Sequence, residues 1–323
     1  MGSASNAELR QLHSATSTPT PTLLSNGKLT RRRFLALSGA AATVVAADAL
    51  LVEPRRLTVT RHLVRSPGAP VGARRVRIVQ LTDLHLTPIG PFHERIAREI
   101  AHADPHLIVI SGDSIDRPDA NGRLDDFLSL LDPATPKFAT WGNWEHYLGI
   151  DLGTTAEVYA RHGCRVLDNA SAVVHVNGAR LLVTGIDSSQ DGFPDITRAL
   201  RGVEPSPNHL VIAHCPVQRD HVVRHIIAGP ACPAPGAKPS AMPVTGPSLP
   251  HRPSLVLSGH THGGQVTLGG WAPITPAGSG PYVAGWYRHG VIPLYVSRGI
   301  GETMIPLRFW CPPEVAVFEW EMA

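Results

Sequence analysis

Five short segments hold most of the residues that could do metal or acid–base chemistry. They are TDLH (82–85), GDSID (112–116), GNWEH (142–146), AHCP (213–216) and GHTHGG (259–264). Between them they offer Asp83, His85, Asp113, Asn143, His214, His260 and His262. Carboxylate, imidazole and amide oxygen together form a donor set suited to divalent Mn, Fe or Zn. A single zinc site needs only about three or four ligands, so seven donors with one shared carboxylate suffice for two metals. Two metals about 3.5–4 Å apart clamp phosphoryl oxygens, bring the pKa of bound water down towards about 7 and offset charge during in-line attack. Singly, each segment is weak: Asp-x-His arises often by chance, and Gly-Asp is a common turn.

The surrounding chain explains how residues so far apart could meet. VRIVQL (76–81), HLIVIS (106–111) and KFATW (137–141) read as short buried strands, as do HLVIAH and SLVLSGH. PFHERIAREIAHAD, with Ile96 and Ile100 four apart and Pro91 at its start, reads as a helix. GRLDDFLSLL and TTAEVYARHG read the same way, the second stopped by Gly163. CRVLD, AVVHV and RLLVTG look like consecutive strands. Helices alternating with buried strands predict layered α/β, and the runs of strands predict a mixed sheet or a two-sheet sandwich. Each of the five segments directly follows a predicted strand. The crevice beyond strand carboxyl ends is where α/β sheets bind ligands, so all five can converge there.

In order and placement the array resembles the calcineurin-like metallophosphoesterases, whose signature is D-x-H, G-D-x-x-D, G-N-H-D/E, a strand-end His and G-H-x-H. The resemblance spans about residues 75–320. The segments SGHTHGGQ and YVSRGIG…RFWCPPEVAVFEW are similar to an exported or membrane-associated bacterial branch that includes UDP-2,3-diacylglucosamine pyrophosphatases. The resemblance implies a four-layer α/β/β/α sandwich with mixed central sheets and a dinuclear phosphohydrolase. It implies Asp83, His85 and His262 on one metal, Asn143, His214 and His260 on the other, and Asp113 shared. His260 and His262 would then face different metals. The implied attack is in line, by a hydroxide bridging the two ions. Asn143 would also orient substrate phosphate. Asp116 is a candidate partner for a ligand imidazole, and Arg117 either contacts phosphate or is a plain surface residue.

One position departs from the signature: Trp144 stands where the family carries the His thought to protonate the leaving oxygen. Indole N–H only donates and does not titrate usefully. His146 could supply the proton instead, or another group or water could. Alternatively the leaving group is acidic enough to need none, as in a phosphoanhydride. Trp144 itself could stack on a base, line an apolar groove or simply pack. These options favour a phosphodiester or pyrophosphate substrate, lipid- or nucleotide-linked. The alternatives are a nucleotidase or nuclease, or a non-catalytic envelope binding protein that keeps its metals for structure.

The rest of the chain sets the context. Its 323 residues are 43% hydrophobic and 17% charged, with Gly 30 and Pro 30, as in a loop-rich globular protein. A net charge of +3 gives no basic footprint for nucleic acid, and a monomer is expected. Residues 1–29 are polar and read as disordered. Thr30-Arg31-Arg32-Arg33-Phe34-Leu35 resembles a twin-arginine export signal, followed by an Ala-rich stretch to Leu51 that is short for a membrane span. Export across the cytoplasmic membrane to the cell envelope follows, by way of the twin-arginine machinery. Cleavage near Ala47 or Ala49 would free the protein, and an uncleaved signal would anchor it. The predicted divisions are thus 1–29, a signal or anchor at 30–51, and a phosphoesterase domain at 52–323. A Pro-rich insert at 228–253 interrupts the domain without periodicity. Cys164, Cys215, Cys232 and Cys311 share no metal spacing and read as scattered thiols, with a bridge to Cys232 left open.

Overall fold

The structure is a computed structural model describing residues 30–228 and 250–323. The predicted disorder at 1–29, nearly all of the Pro-rich insert and Cys232 lie outside the described residues. The chain divides into two compact units, 1–44 and 45–323.

The larger unit is built on two six-stranded mixed sheets. In chain order the strands are β1 (Thr58–Arg65), β2 (Arg75–Leu81), β3 (Leu107–Ser111), β4 (Lys137–Thr140), β5 (Cys164–Val166) and β6 (Ala170–Val176), then β7 (Ala179–Ile186), β8 (His209–Ala213), β9 (Leu255–Ser258), β10 (Gly285–Tyr287), β11 (Leu294–Val296) and β12 (Glu314–Glu321). One sheet runs β1-β12-β2-β3-β4-β5 and the other β10-β11-β9-β8-β7-β6. Within the first, β2, β3, β4 and β5 are parallel neighbours; within the second, β7, β8, β9 and β11 are.

Alternation along these strands creates separate cores, because successive side chains leave a strand on opposite faces. Val79, Leu81, Ile108 and Ile110 pack against three helices, α2 (Pro91–Ala103), α3 (Asn121–Ser129) and α5 (Leu152–Arg161), which contribute Ile96, Phe127 and Val158. The intervening Val76, Ile78, Leu107 and Val109 meet Leu181, Val183, Leu210 and Ile212 of the second sheet. Ile186, Val211, Ala213 and Val256 face outward again, onto Ile196 of α6 (Ile196–Ala199) and Val222 of α7 (Gln218–Val223). The order is therefore helices, sheet, sheet, helices: the expected four layers.

The predicted helix boundaries follow their local signals. α2 starts with Pro91 at its first position and ends at Asp104, which turns left-handed at φ 47°. Strand β1 lies outside the predicted strands, although Thr58, Val59, Thr60 and Val64 are β-branched residues that favour a strand. It is a half-exposed edge strand, TVTRHLVR, paired in parallel with β12 from Thr58↔Glu314 to Arg65↔Glu321. That partner, some 250 residues later in the chain, fixes its place and direction at the sheet edge.

The N-terminal apolar segment runs further than the sequence suggests. α1 (Arg31–Ala47) continues through tighter and wider helical turns, and the helical stretch Arg31–Arg55 is 25 residues long. That length and composition suffice to cross a membrane, and a signal sequence meets the same test. The helix runs on past residue 51 because Asp48 and Glu53 do not interrupt it, and Pro54 stands in the first turn of the closing segment, where proline is tolerated.

Candidate metal centre

The candidate ligands follow the carboxyl ends of parallel strands in both sheets. Asp83 and His85 lie just beyond β2, Asp113 beyond β3 and Asn143 beyond β4; His214 follows β8, and His260 and His262 follow β9. Backbone hydrogen bonds knit these loops together: Asp83 N–H to Gly112 O (3.1 Å), His85 N–H to Asp113 O (3.1 Å) and Gly259 N–H to His214 O (3.0 Å). Gln80 joins the two sheets beneath the site, with Nε2 donating to Ser111 Oγ (3.0 Å) and to Ser258 O (2.9 Å).

Two three-residue groups emerge. Asp83, His85 and His262 form one; Asp113, His214 and His260 form the other, and all six side chains are buried. In each group the donor atoms lie within 4.8 Å of one another. Asn143 Oδ1 joins the second group, 3.0 Å from His214 Nε2 and 2.9 Å from His260 Nδ1. Asp113 Oδ2 faces both groups, 3.1 Å from His214 Nε2 and 3.7 Å from His85 Nε2. His260 and His262, separated only by Thr261, fall into different groups.

Backbone geometry bears the cost of this convergence. Asp83 (φ 50°), His85 (39°), Asp113 (54°), His260 (71°) and His262 (49°) all occupy the left-handed region. Such conformations are uncommon outside glycine and cluster where structure is held for function. Two glycines make room. Gly112 has φ 89°, and a Cβ there would sit 2.6 Å from the Gly142 Cα. At Gly142 a Cβ would run into the Asp113 carboxylate.

Hydrogen bonds made by the outer ring nitrogens fix which inner nitrogens hold lone pairs. His214 Nδ1–H donates to Ser111 O (2.8 Å), His260 Nε2–H to Ala277 O (2.5 Å) and His262 Nδ1–H to Gly301 O (3.2 Å). In the neutral rings their inner nitrogens are acceptors, gathered around further acceptors. His260 Nδ1 stands 3.2 Å from His214 Nε2, and His262 Nε2 stands 3.2 Å from His85 Nε2. Buried His85 Nδ1 has no hydrogen-bond partner among the described residues. Lone pairs and carboxylate oxygens converging in this way require something positive between them. Divalent cations fit the donor set, and without a cation protons must serve. The pKa directions agree. Burial opposes charge on His214, but Asp113 outweighs it and holds the imidazole well above its usual range. Burial raises the Asp113 carboxyl, yet His214 and His85 overcome it and hold the group low. Burial and His85 together hold His262 well below the ordinary range, so that ring is neutral.

Glu145 is a residue whose role the sequence reading missed. It is buried, and its carboxylate accepts from Ser114 N–H (2.7 Å), Gly142 N–H (3.0 Å) and Asp113 N–H (3.2 Å). It therefore clamps the β3 and β4 loops together from behind. Burial and the neighbouring Asp113 push its pKa up to about 7. The acidic last position of G-N-x-D/E was the available signal. Arg308, the first residue of RFWCPPEVAVFEW, is fully buried and donates to the Gly301 carbonyl that His262 Nδ1–H also uses.

The remaining candidates separate. Trp144 lines a cavity of about 350 Å³ together with Asp113, Asn143, His260 and His262. Its ring meets His85 edge to face at 5.6 Å, and its N–H on the backbone donates to Asp113 Oδ1 (2.9 Å). His146 does not line that cavity; its Nε2 is engaged by Asp187 Oδ1 at 2.6 Å. The Asp187 hydrogen bond raises its pKa against the effect of burial. Asp116 makes no hydrogen bond to a ligand imidazole and instead lines a neighbouring cavity with His85. Arg117 is exposed and bonds Asp119 (3.2 Å). Cys164, Cys215 and Cys311 are buried free thiols.

The His146 geometry carries an expectation. With Nε2 engaged by Asp187, His146→Ala should reduce turnover by a similar factor for good and poor leaving groups, as for a residue that positions the short helix α4 (Asn143–Tyr147). A loss concentrated on poor leaving groups would assign it the proton instead.

Comparison with known proteins agrees with this geometry. The family model for calcineurin-like phosphoesterases matches residues 76–264, more than half of the chain. The chain is 29% identical to the uncharacterized metallophosphoesterase YkuE of Bacillus subtilis (strain 168), over 90% of this chain and 97% of that one. It is 28% identical to phosphodiesterase YaeI of Escherichia coli (strain K12), over 90% and 99%. It is also 28% identical to UDP-2,3-diacylglucosamine pyrophosphatase LpxG of Chlamydia muridarum (strain MoPn / Nigg), over 82% and 90%. With its strand-end ligand groups and this match, the chain belongs to the calcineurin-like phosphoesterase family.

Proposed function

We propose that this hydrolase cleaves phosphodiesters or pyrophosphates with two divalent metals. Asp83, His85 and His262 would hold one, Asn143, His214 and His260 the other, and Asp113 both. The observation that carries this reading is the cluster of buried acceptors with Asp113 Oδ2 facing both groups. Bound there, divalent cations would neutralise phosphoryl charge and acidify water at neutral pH.

The protein's own residues do the rest. Asn143 Oδ1 points with the acceptor nitrogens of His214 and His260 at the place a metal would take, which leaves Nδ2–H to orient a phosphoryl oxygen in the cavity that Asn143 lines. Trp144 closes one wall, and its backbone N–H fixes the Asp113 carboxylate. Among the described residues, no imidazole outside the candidate ligand set lines this cavity. Acidic leaving groups, such as the phosphate of an anhydride, suit a site of that kind. A nucleotide- or lipid-linked diester or anhydride is the substrate class we favour. The N-terminal helix, with its twin-arginine motif, would serve as export signal or anchor and place the enzyme in the cell envelope, ahead of a phosphoesterase domain at 52–323.

The test joins metal content to a leaving-group series. Purified protein should hold two metals per chain and hydrolyse bis-p-nitrophenyl phosphate in preference to p-nitrophenyl phosphate with manganese. Across aryl phosphodiesters, kcat/KM should drop by about a hundred-fold or more from p-nitrophenyl to phenyl, because the contribution of a general acid is missing. A flat series would show that a proton donor is present after all. A chain without bound metal would remove the basis of the reading.

A further inference from the structure

A second cavity adjoins the metal centre, and the functional reading leaves it unused. It measures about 580 Å³, within the span of about 300–1,000 Å³ usual for small-molecule sites. Its wall includes Leu50, Leu84, Phe92, Ile300, Met304 and Ile305. Little separates it from the catalytic cavity. His85 lines one and His262 the other, and their Nε2 atoms are 3.2 Å apart. Thr303 and Met304 line both.

Arg55, Asp116 and Glu302 also line it, and its rim carries large apolar side chains left uncovered: Leu50 is 45% exposed, Ile305 58% and Met304 91%. Large apolar side chains left in water at the edge of a cavity mark a surface that takes an apolar ligand. Part of that rim is the end of the helical stretch Arg31–Arg55, the segment long and apolar enough to cross a bilayer. The segment is built into the wall. Ala49 O accepts from Arg308 N–H (2.9 Å), and Glu53 Oε1 from Cys311 N–H (2.5 Å). Cys311 Sγ–H in turn reaches His262 O (3.2 Å). The cavity thus has the candidate metal centre on one side and, in the same wall, the end of the one described helix that is long and apolar enough to cross a membrane.

We infer that this cavity binds the hydrocarbon chain of a membrane-derived phosphorylated amphiphile while its phosphodiester or anhydride occupies the metal centre. The inference rests on the functional reading above and narrows its substrate class from any acidic ester to one bearing a long apolar chain. Burial of methylenes supplies the selectivity, each one removed from water adding several-fold to binding.

Two measurements on the full chain in phosphatidylcholine nanodiscs test it. In the first, the metal-free protein is photolabelled with a hexadecyl phosphate carrying a diazirine in its chain. Adducts should map to Leu84 and Ile300, which are 2% exposed and out of reach of bulk lipid. Adducts confined to 31–47 would overturn the inference. In the second, the metal-loaded protein is given p-nitrophenyl alkyl phosphodiesters from ethyl to dodecyl. From ethyl to dodecyl, kcat/KM should rise at least about a hundred-fold, less than the full burial of ten methylenes would give because the bilayer competes for the longer chains. Ile305→Glu should flatten that ratio to within about three-fold. The ratio is the readout, so a general loss of activity in the variant cancels. A series that is hydrolysed equally at every length would overturn the chain-binding inference and leave the phosphodiesterase reading intact. No hydrolysis of any member would overturn that reading and the inference with it.

Discussion

Asp113→Asn is expected to lower kcat by roughly a thousand-fold or more and to leave at most one metal per chain. The reason is local. Asp113 Oδ2 faces His214 of one group at 3.1 Å and His85 of the other at 3.7 Å. An amide in its place removes the negative charge that both groups share, while the shape is kept. The variant should still fold, because Asn retains an Oδ1 acceptor for Trp144 N–H, 2.9 Å away in the parent. Metal analysis of the purified variant, with turnover of a p-nitrophenyl diester, gives the answer. Two metals with near-parental turnover would show that Asp113 is not shared between them.

Arg308→Met is expected to destabilise the fold by about 3–5 kcal/mol and to weaken metal binding roughly ten- to hundred-fold. Arg308 is fully buried. Its Nη1 donates to Arg298 O (3.1 Å) and Cys311 O (3.0 Å), and its Nη2 to Arg298 O (3.1 Å) and Gly301 O (2.5 Å). Methionine fills much of the volume but leaves three buried carbonyls short of donors, which is the expensive kind of loss. The metal effect follows because Gly301 O is also the acceptor for His262 Nδ1–H (3.2 Å). A loop free to shift there releases the ring from its orientation. Urea unfolding of the metal-free protein and a metal titration measure the two effects separately. A change below about 1 kcal/mol with parental metal affinity would mean the carbonyls find other donors.

The sequence by itself determined the chemistry-bearing residues and the layers beneath them. Strand runs such as VRIVQL and HLIVIS are short, apolar and rich in β-branched residues, and they became β2 and β3. Because parallel strands end on one edge, a polar motif after each strand was enough to predict convergence. The α2 helix was equally legible, since Pro91 and the Ile96–Ile100 spacing are local signals. What remained hidden depends on partners far along the chain. β1 takes its place and direction from β12, and Arg308 matters because three loop carbonyls surround it. The order of the ligand motifs assigned His260 and His262 to different groups by resemblance. Only the folded backbone shows how they get there: both residues adopt left-handed conformations, and their outer nitrogens are fixed on Ala277 and Gly301 carbonyls. Propensity and periodicity act over a few residues and can be read in one dimension. The direction of a lone pair and the partner of a buried charge are set by contacts between segments, so the tertiary structure decided them.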